Sequence, residues 1–518
     1  MALLIKNVRV LGAAEKFPEP VDVFVNGDKI SAIGDFPNKE AEEVIEGQGA
    51  YLSPGFIDVN TDSDHYLSLF DYPSQDDFLG QGVTTIIGGM CGSSLAPLIY
   101  GSLESIQKWA DPNRINVNWH TMEDFLNVFK RNPLAVNFAT LVGHSTVRRA
   151  IVGEALRDLT KNELAVFTET LKRALKEGGF GFSTGLGYVH SHETPYPEIK
   201  SLCKTTKDFD GVYATHLRDP VENLDESVKE TIKLAREVGV KTLISHFMPF
   251  SGTEKIYSAA LAQIASLPKT VDLNFDIYPY GASVLPLYTF LPQWAQSGGR
   301  EVMLANIRDA WLQPKLEKDF RDLNPEDFVV SQAPGNDALV GCSLEELRKM
   351  YNLANYKAAL LKLMLTTEFR AVIMYKNIDV KLIKRAIANP RSLIASNSAS
   401  LSSSEKTKVL KPERATSTFT KFLGLVDSER IMSLEEAVNK ITAAPARKFN
   451  LTGRGLVREG NFADLTVFSL PEVAPYPAGQ KPERLAEIKC VAVNGVVAFK
   501  NGVFQRKFAG RALRRNAP

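Results

Sequence analysis

Eight short apolar runs, at 55–59, 83–87, 134–142, 179–183, 211–215, 240–245, 271–277 and 392–396, alternate with stretches of helical periodicity such as 163–177 and 224–238. Strands that alternate with helices pair in parallel, and eight such units suffice to close a barrel. An α/β chain built on a (β/α)8 TIM barrel is therefore expected, with its chemistry at the carboxyl ends of the strands. The spacing breaks once, between the seventh and eighth runs. The gap there is too long for one crossover, so it should hold an inserted lid over about 290–385. Within it, 344–350 and 356–365 read as helices and 328–331 as a strand.

The two ends of the chain differ from the middle and resemble each other. Val23-Phe24-Val25-Asn26-Gly27 is echoed by Val491-Ala492-Val493-Asn494-Gly495, two apolar runs entering an Asn-Gly hairpin. This repetition suggests that residues 1–53 and 450–518 build one composite β-sandwich beside a barrel spanning 54–449. A total of 518 residues is too long for one ordinary core and fits that division.

The charge balance, 61 Lys+Arg against 60 Asp+Glu, gives no electrostatic reason for nucleic acid or an anionic membrane as partner. No apolar run reaches membrane-spanning length, and the amino terminus lacks the apolar stretch of a signal peptide. Cys91, Cys203, Cys342 and Cys490 are scattered, which argues against a disulfide framework and for a reducing cytoplasm. A small-molecule substrate is expected; oligomeric state is left open.

Three strand ends carry metal-binding side chains. The second run is followed by Gly88-Gly89-Met90-Cys91-Gly92, the fifth ends in Thr215-His216 and the sixth in Ser245-His246. One thiolate and two imidazoles form a good zinc set, and three protein ligands leave a fourth position open, as catalytic zinc requires. Taken singly, Cys91 also fits a packed loop, and either histidine fits a hydrogen-bonded barrel position. Their joint placement is what points to metal. His144 follows the third run and reads as lining the pocket. His190 and His192 fall in a loop after the fourth run, and His65 lies too far past the first run for a ligand. The first run ends in a polar cluster, Asn60-Thr61-Asp62-Ser63-Asp64.

These motifs, with Pro54-Gly55-Phe56-Ile57-Asp58, Gly181-Phe182-Ser183-Thr184-Gly185-Leu186, Thr215-His216-Leu217-Arg218-Asp219, Asp276-Ile277-Tyr278-Pro279-Tyr280 and Ala463-Asp464-Leu465, resemble the D-aminoacylase (N-acyl-D-amino-acid deacylase) family of the metal-dependent amidohydrolase superfamily. The resemblance implies zinc on Cys91, His216 and His246, and hydrolysis of an amide by a metal-activated water. It also implies a substrate pocket in which Arg414 meets the substrate carboxylate, with Tyr278, Tyr280 and Ser283 beside it. Three departures stand out. The family's His-x-His pair, which supports a second metal, is here Asn60 and Asp62. The aspartate that serves as general base after the eighth strand is Asn397. A lysine two residues after the sixth-strand histidine is Met248. Asparagine has no proton to exchange at neutral pH, although its amide can hold a water. Asp62 or Asp64 is then the candidate replacement base, or else a carboxylate that caps local backbone. The expected activity is a one-zinc amidohydrolase acting on an N-acyl (D-)amino acid or similar small amide. The alternative is a catalytically impaired relative serving in binding or assembly.

Overall fold

The computed structural model describes residues 2–515 apart from 14, 101–102, 108, 403–407 and 472–483. All eight expected runs form parallel barrel strands. In chain order they are Phe56–Asp58, Val83–Gly88, a third strand in two pieces (Asn137–Thr140 and Val142–Gly143), Gly181–Gly185, Val212–His216, Lys241–Ile244, Leu273–Ile277 and Ser392–Ile394. The third strand is interrupted at Leu141, whose N–H donates to Gly88 O. A bridge between Thr61 and Ser398 links the first strand to the eighth. The chain thus folds as a TIM barrel.

The crossover helices follow their sequence signals. Lys161–Lys176 opens with a capping box, in which Thr160 accepts from the Glu163 N–H, and buries Phe167, Leu171, Ala174 and Leu175 along one face. Inside the barrel Leu141, Phe180, Val212, Ala214, Leu243, Leu393 and Ala395 share one apolar cluster. This packing fills the interior and leaves the carboxyl end of the strands for polar groups.

Strands from both ends of the chain join in a nine-stranded sheet, with the long strand Ala2–Val10 bordered by Val21–Asn26 on one side and Tyr51–Pro54 on the other. Leu3, Val23, Leu52, Leu465 and Val497 close over a common core. The two echoing turns meet. Asn494 and Gly495 both have positive φ, forming the two-residue hairpin expected over Asn-Gly. In the amino-terminal hairpin Asn26 pairs with Lys29, so the turn is Gly27-Asp28, one residue later than the dipeptide suggests. A Cβ on Gly495 would lie 2.0 Å from Gly27 O, in addition to needing φ +81°. Gly495→Ala is therefore expected to lower stability by at least about 2 kcal/mol, read as a shift in urea midpoint. An unchanged midpoint would mean that the two turns separate freely.

Between the seventh and eighth strands, Ala282–Pro286, Phe328–Gln332 and Val372–Lys376 form a three-stranded antiparallel sheet. It packs with Gly299–Arg308, Leu344–Met350 and Tyr356–Thr367 around its own core, which includes Phe328, Leu344, Leu360 and Ile373. The expected strand and both expected helices are present, and the insertion begins earlier than expected, with the strand at Ala282. No described helix is long and apolar enough to cross a membrane, and none of the four cysteines is in a disulfide.

Candidate metal centre

Cys91, His216 and His246 converge at the barrel mouth. His246 Nε2 lies 3.4 Å from Cys91 Sγ and 3.0 Å from His216 Nδ1, and the remaining separation, Sγ to His216 Nδ1, is 4.0 Å. Among the described residues this is the only group of His, Cys, Asp and Glu donors close enough to hold an ion together. Zinc–nitrogen bonds of about 2.0 Å and zinc–sulfur bonds of about 2.3 Å place tetrahedral ligands about 3.3–3.7 Å apart, so the three donors fit one ion.

Each ligand is positioned by a different device. His216 ends the fifth strand, in phase with the inward residues Val212 and Ala214. Its Nε2 faces Gly187, where a Cβ would lie only 2.5 Å away, so the ring has room only against glycine. Cys91 sits in the loop after the second strand with φ 53°, and that loop is held by the Gly92 N–H donating to Ser183 Oγ (3.1 Å) and the Gly89 N–H donating to Asp64 Oδ2 (2.6 Å). His246 is in phase with outward-facing Ile244, and a left-handed backbone, φ 35°, turns it into the mouth. Its N–H donates to Asp276 Oδ1 at 2.8 Å, which secures that turn. Desolvation lowers the His246 imidazole to about 4, leaving it neutral, as a metal ligand must be.

The first strand supplies a different set. Asn60 Nδ2 donates to both oxygens of Asp276, at 3.3 and 3.1 Å, while Asn60 Oδ1 is buried without a partner. Asn397 has φ 45°, a conformation asparagine tolerates, and its N–H donates to Asn60 O at 2.9 Å. The two substituted strand ends are thus direct neighbours. Asp62 Oδ1 lies 3.0 Å from His65 Nδ1, and the Asp62 side chain keeps 12% of its surface exposed. Burial pushes its carboxyl up, but the His65 hydrogen bond and the charges of His65 and Arg414 bring it below the ordinary value. Asp64, the other candidate base, is buried with Oδ2 on the Gly89 N–H and Oδ1 on the His65 N–H. It caps backbone, because two loop amides need an acceptor there.

Asp58, deeper on the same strand, accepts from the Ser396 and Asn60 N–H groups. Desolvation raises its carboxyl to about 8. A raised carboxyl keeps its proton in the fold while the unfolded chain loses it above about pH 4. The stability from this group is full below that point and is lost as pH rises through about 8. Asp58→Asn should flatten the decline in urea midpoint between pH 5 and 8; an unaltered slope would mean that Asp58 is ionised in the fold.

Arg414 is buried with its guanidinium 4.7 Å from the Tyr278 ring centre and its Nε unpartnered. Tyr280 hydroxyl lies 2.6 Å from Ser417 Oγ, and Ser283 donates to Asn377 Oδ1 at 2.8 Å. His144 does not line the pocket. It is fully buried against Phe167 and outward-facing Phe182, with Nε2 2.8 Å from Glu198, so it joins the barrel wall to the helices. A cleft of about 900 Å³ is lined by Tyr66, Trp109, Arg149, Tyr188, Tyr288 and Phe369, among others. Tyr188 connects it to the metal ligands, its ring centre 4.9 Å from that of His216. Tyr66, Trp109, Tyr188 and Phe369 lie in turns or loops and Tyr288 in a short 3-10 helix, so no periodicity marks them beforehand.

Comparison with known proteins places the chain among the amidohydrolases. The amidohydrolase family profile matches residues 325–498. A D-aminoacylase of Alcaligenes xylosoxydans xylosoxydans is 30% identical over 96% of this chain and 94% of its own length. An N-acyl-D-aspartate deacylase of the same organism is 28% identical over 92% and 87%. Among solved structures, a D-aminoacylase described as defining a novel subset of amidohydrolases superposes with TM-score 0.78 at 28% identity, covering 99% of both chains. A D-aminoacylase with a binuclear metal centre, studied for one-metal activation and second-metal attenuation, gives 0.75 at 27% identity and the same coverage. The fold is shared too by an N-acyl-D-glutamate deacylase of Bordetella bronchiseptica complexed with zinc and a phosphonate inhibitor, with TM-score 0.79 at 23% identity over 99% of both chains.

Proposed function

Since the chain belongs to the D-aminoacylase family of amidohydrolases, we propose that it is a one-zinc hydrolase that cleaves the amide bond of an N-acyl-D-amino acid. The observation that carries this reading is the convergence of Cys91 Sγ, His216 Nδ1 and His246 Nε2 on one point at the barrel mouth. A zinc ion held there supplies Lewis acidity for a carbonyl and for a nucleophilic water. The related D-aminoacylase that one metal activates and a second attenuates supports a single working ion.

The rest of the work falls to side chains. Arg414, buried and short of one hydrogen-bond partner at Nε, binds the substrate carboxylate, with its guanidinium set against Tyr278. Tyr280 and Ser283 border that subsite. Asn397 orients a water through its amide. Asp62 is the ionised carboxylate left to take up a proton, and its depressed pKa makes it a weak base. Slow hydrolysis is the consequence. Asn397 at the position of the family's base also favours a second reading, a binding protein that keeps the pocket without turnover.

The test is a screen of N-acyl-D-amino acids, their L enantiomers and cyclic amides with the zinc-loaded protein. Turnover confined to the D series is expected. Turnover of cyclic amides alone, or none in any series, would refute the assignment.

A further inference from the structure

We infer that His65 is a fixed imidazolium, and that its ion pair with Asp62 takes the place of a second metal ion at the end of the first barrel strand. His65 Nδ1 is 3.0 Å from Asp62 Oδ1, and His65 Nε2 is 3.0 Å from the backbone oxygen of Ser93. A carboxylate and a carbonyl only accept hydrogen bonds, so both ring nitrogens must donate, and an imidazole with two N–H groups is a cation.

The surroundings favour that charge. The ring is completely buried and stacks on Trp109, centre to centre 4.2 Å at 13°. Burial alone would drive the proton off. Asp64 and then Asp62 outweigh it, and the imidazole lies above its ordinary pKa. The groups facing His65 are Asp62 and Asp64 from its own loop, the Ser93 carbonyl from the loop that carries Cys91, and the Trp109 ring. Asp62 in turn feels the positive charge of Arg414.

The positions where a histidine pair would stand are thereby filled from within. The Asn60 Nδ2 group is committed to Asp276, which leaves only Oδ1 of that side chain as a donor atom, and Asp62 already has a cation on Oδ1. A second metal ion would have to displace a buried, hydrogen-bonded ion pair, which is costly because it strands a charge. His65 is a positioning residue. It keeps Asp62 ionised, and through Ser93 it braces the Cys91 loop. The metal count rests on the one-zinc reading above, whereas the protonation of His65 stands apart from it.

The test is nitrogen NMR of the histidine rings in protein labelled with 15N-histidine, as purified and after zinc loading, from pH 6 to 9. His65, identified by its contact with the Trp109 ring, should keep both ring N–H groups throughout. Asp62→Asn should lower its midpoint by at least about one pH unit, the scale of a lost opposite charge. Calorimetric titration with zinc should saturate at one equivalent. A bare ring nitrogen on His65 at pH 7 in the unaltered protein would overturn the imidazolium, whether or not any variant folds. A second zinc equivalent bound while His65 stays charged would overturn its substitution for metal. Absence of turnover would count against hydrolysis and leave the His65 result unaffected.

Discussion

His216→Ala should abolish stoichiometric zinc binding and lower turnover of an N-acyl-D-amino acid by at least about 10³-fold, since a metal Lewis acid contributes several kcal/mol at about 1.4 kcal/mol per tenfold. The loss should be out of proportion to any change in folding. His216 occupies the last position of its strand, its Nε2 side is bounded by Gly187, and its Nδ1 contributes to the three-donor cluster. An alanine there leaves the interior packing of Val212 and Ala214 intact. The remaining pair, Cys91 and His246, offers two ligands where a catalytic zinc site uses three. Metal content by elemental analysis and kcat on the same sample separate the two effects. Retention of one zinc with full turnover would move the metal centre elsewhere.

Asn397→Asp should raise kcat by about 10²- to 10⁴-fold, the usual contribution of a positioned general base. The substitution is isosteric, and aspartate tolerates the left-handed φ of 45° about as well as asparagine does. The backbone N–H of residue 397 keeps its bond to Asn60 O in either form, so the side chain should emerge in the same place. The gain should appear in kcat with KM little changed if, as proposed, Arg414 and not residue 397 holds the substrate carboxylate. An unchanged kcat would mean that the first strand, with Asn60 and Asp62 in place of a histidine pair, limits the reaction, or that proton transfer does not run through the eighth strand.

The barrel was legible because its signal is repeated eight times and each strand needs only a short apolar run. Cys91, His216 and His246 were all singled out by their place at or just past a strand end, and of the three only His216 has its orientation set by strand phase alone. His246 stands in phase with an outward residue, and only a left-handed turn secured by Asp276 brings it inward, an arrangement that requires a partner from another strand. The same limit explains His144 and His65. Proximity to a strand end suggested a pocket role for the first and none for the second. The structure instead sets His144 against Glu198 and His65 against Asp62, both buried pairings that strand position does not reveal. The Asn26-Gly27 turn shows the local version of the problem: the dipeptide marks the hairpin, while the pairing of Asn26 with Lys29 sets the turn one residue later. Polar pairing across elements fixes such details, and it leaves no periodic trace in the chain.

The proposed site keeps one half of the metal machinery that the family resemblance implies and replaces the other half with a carboxylate, an imidazole and two amides. The most direct measurement is turnover of an N-acyl-D-amino acid as zinc is added stepwise to metal-free protein. Activity should rise linearly and reach its plateau at one equivalent per chain. Activity that appears only with the second equivalent, or none at any ratio, would contradict a one-zinc hydrolase.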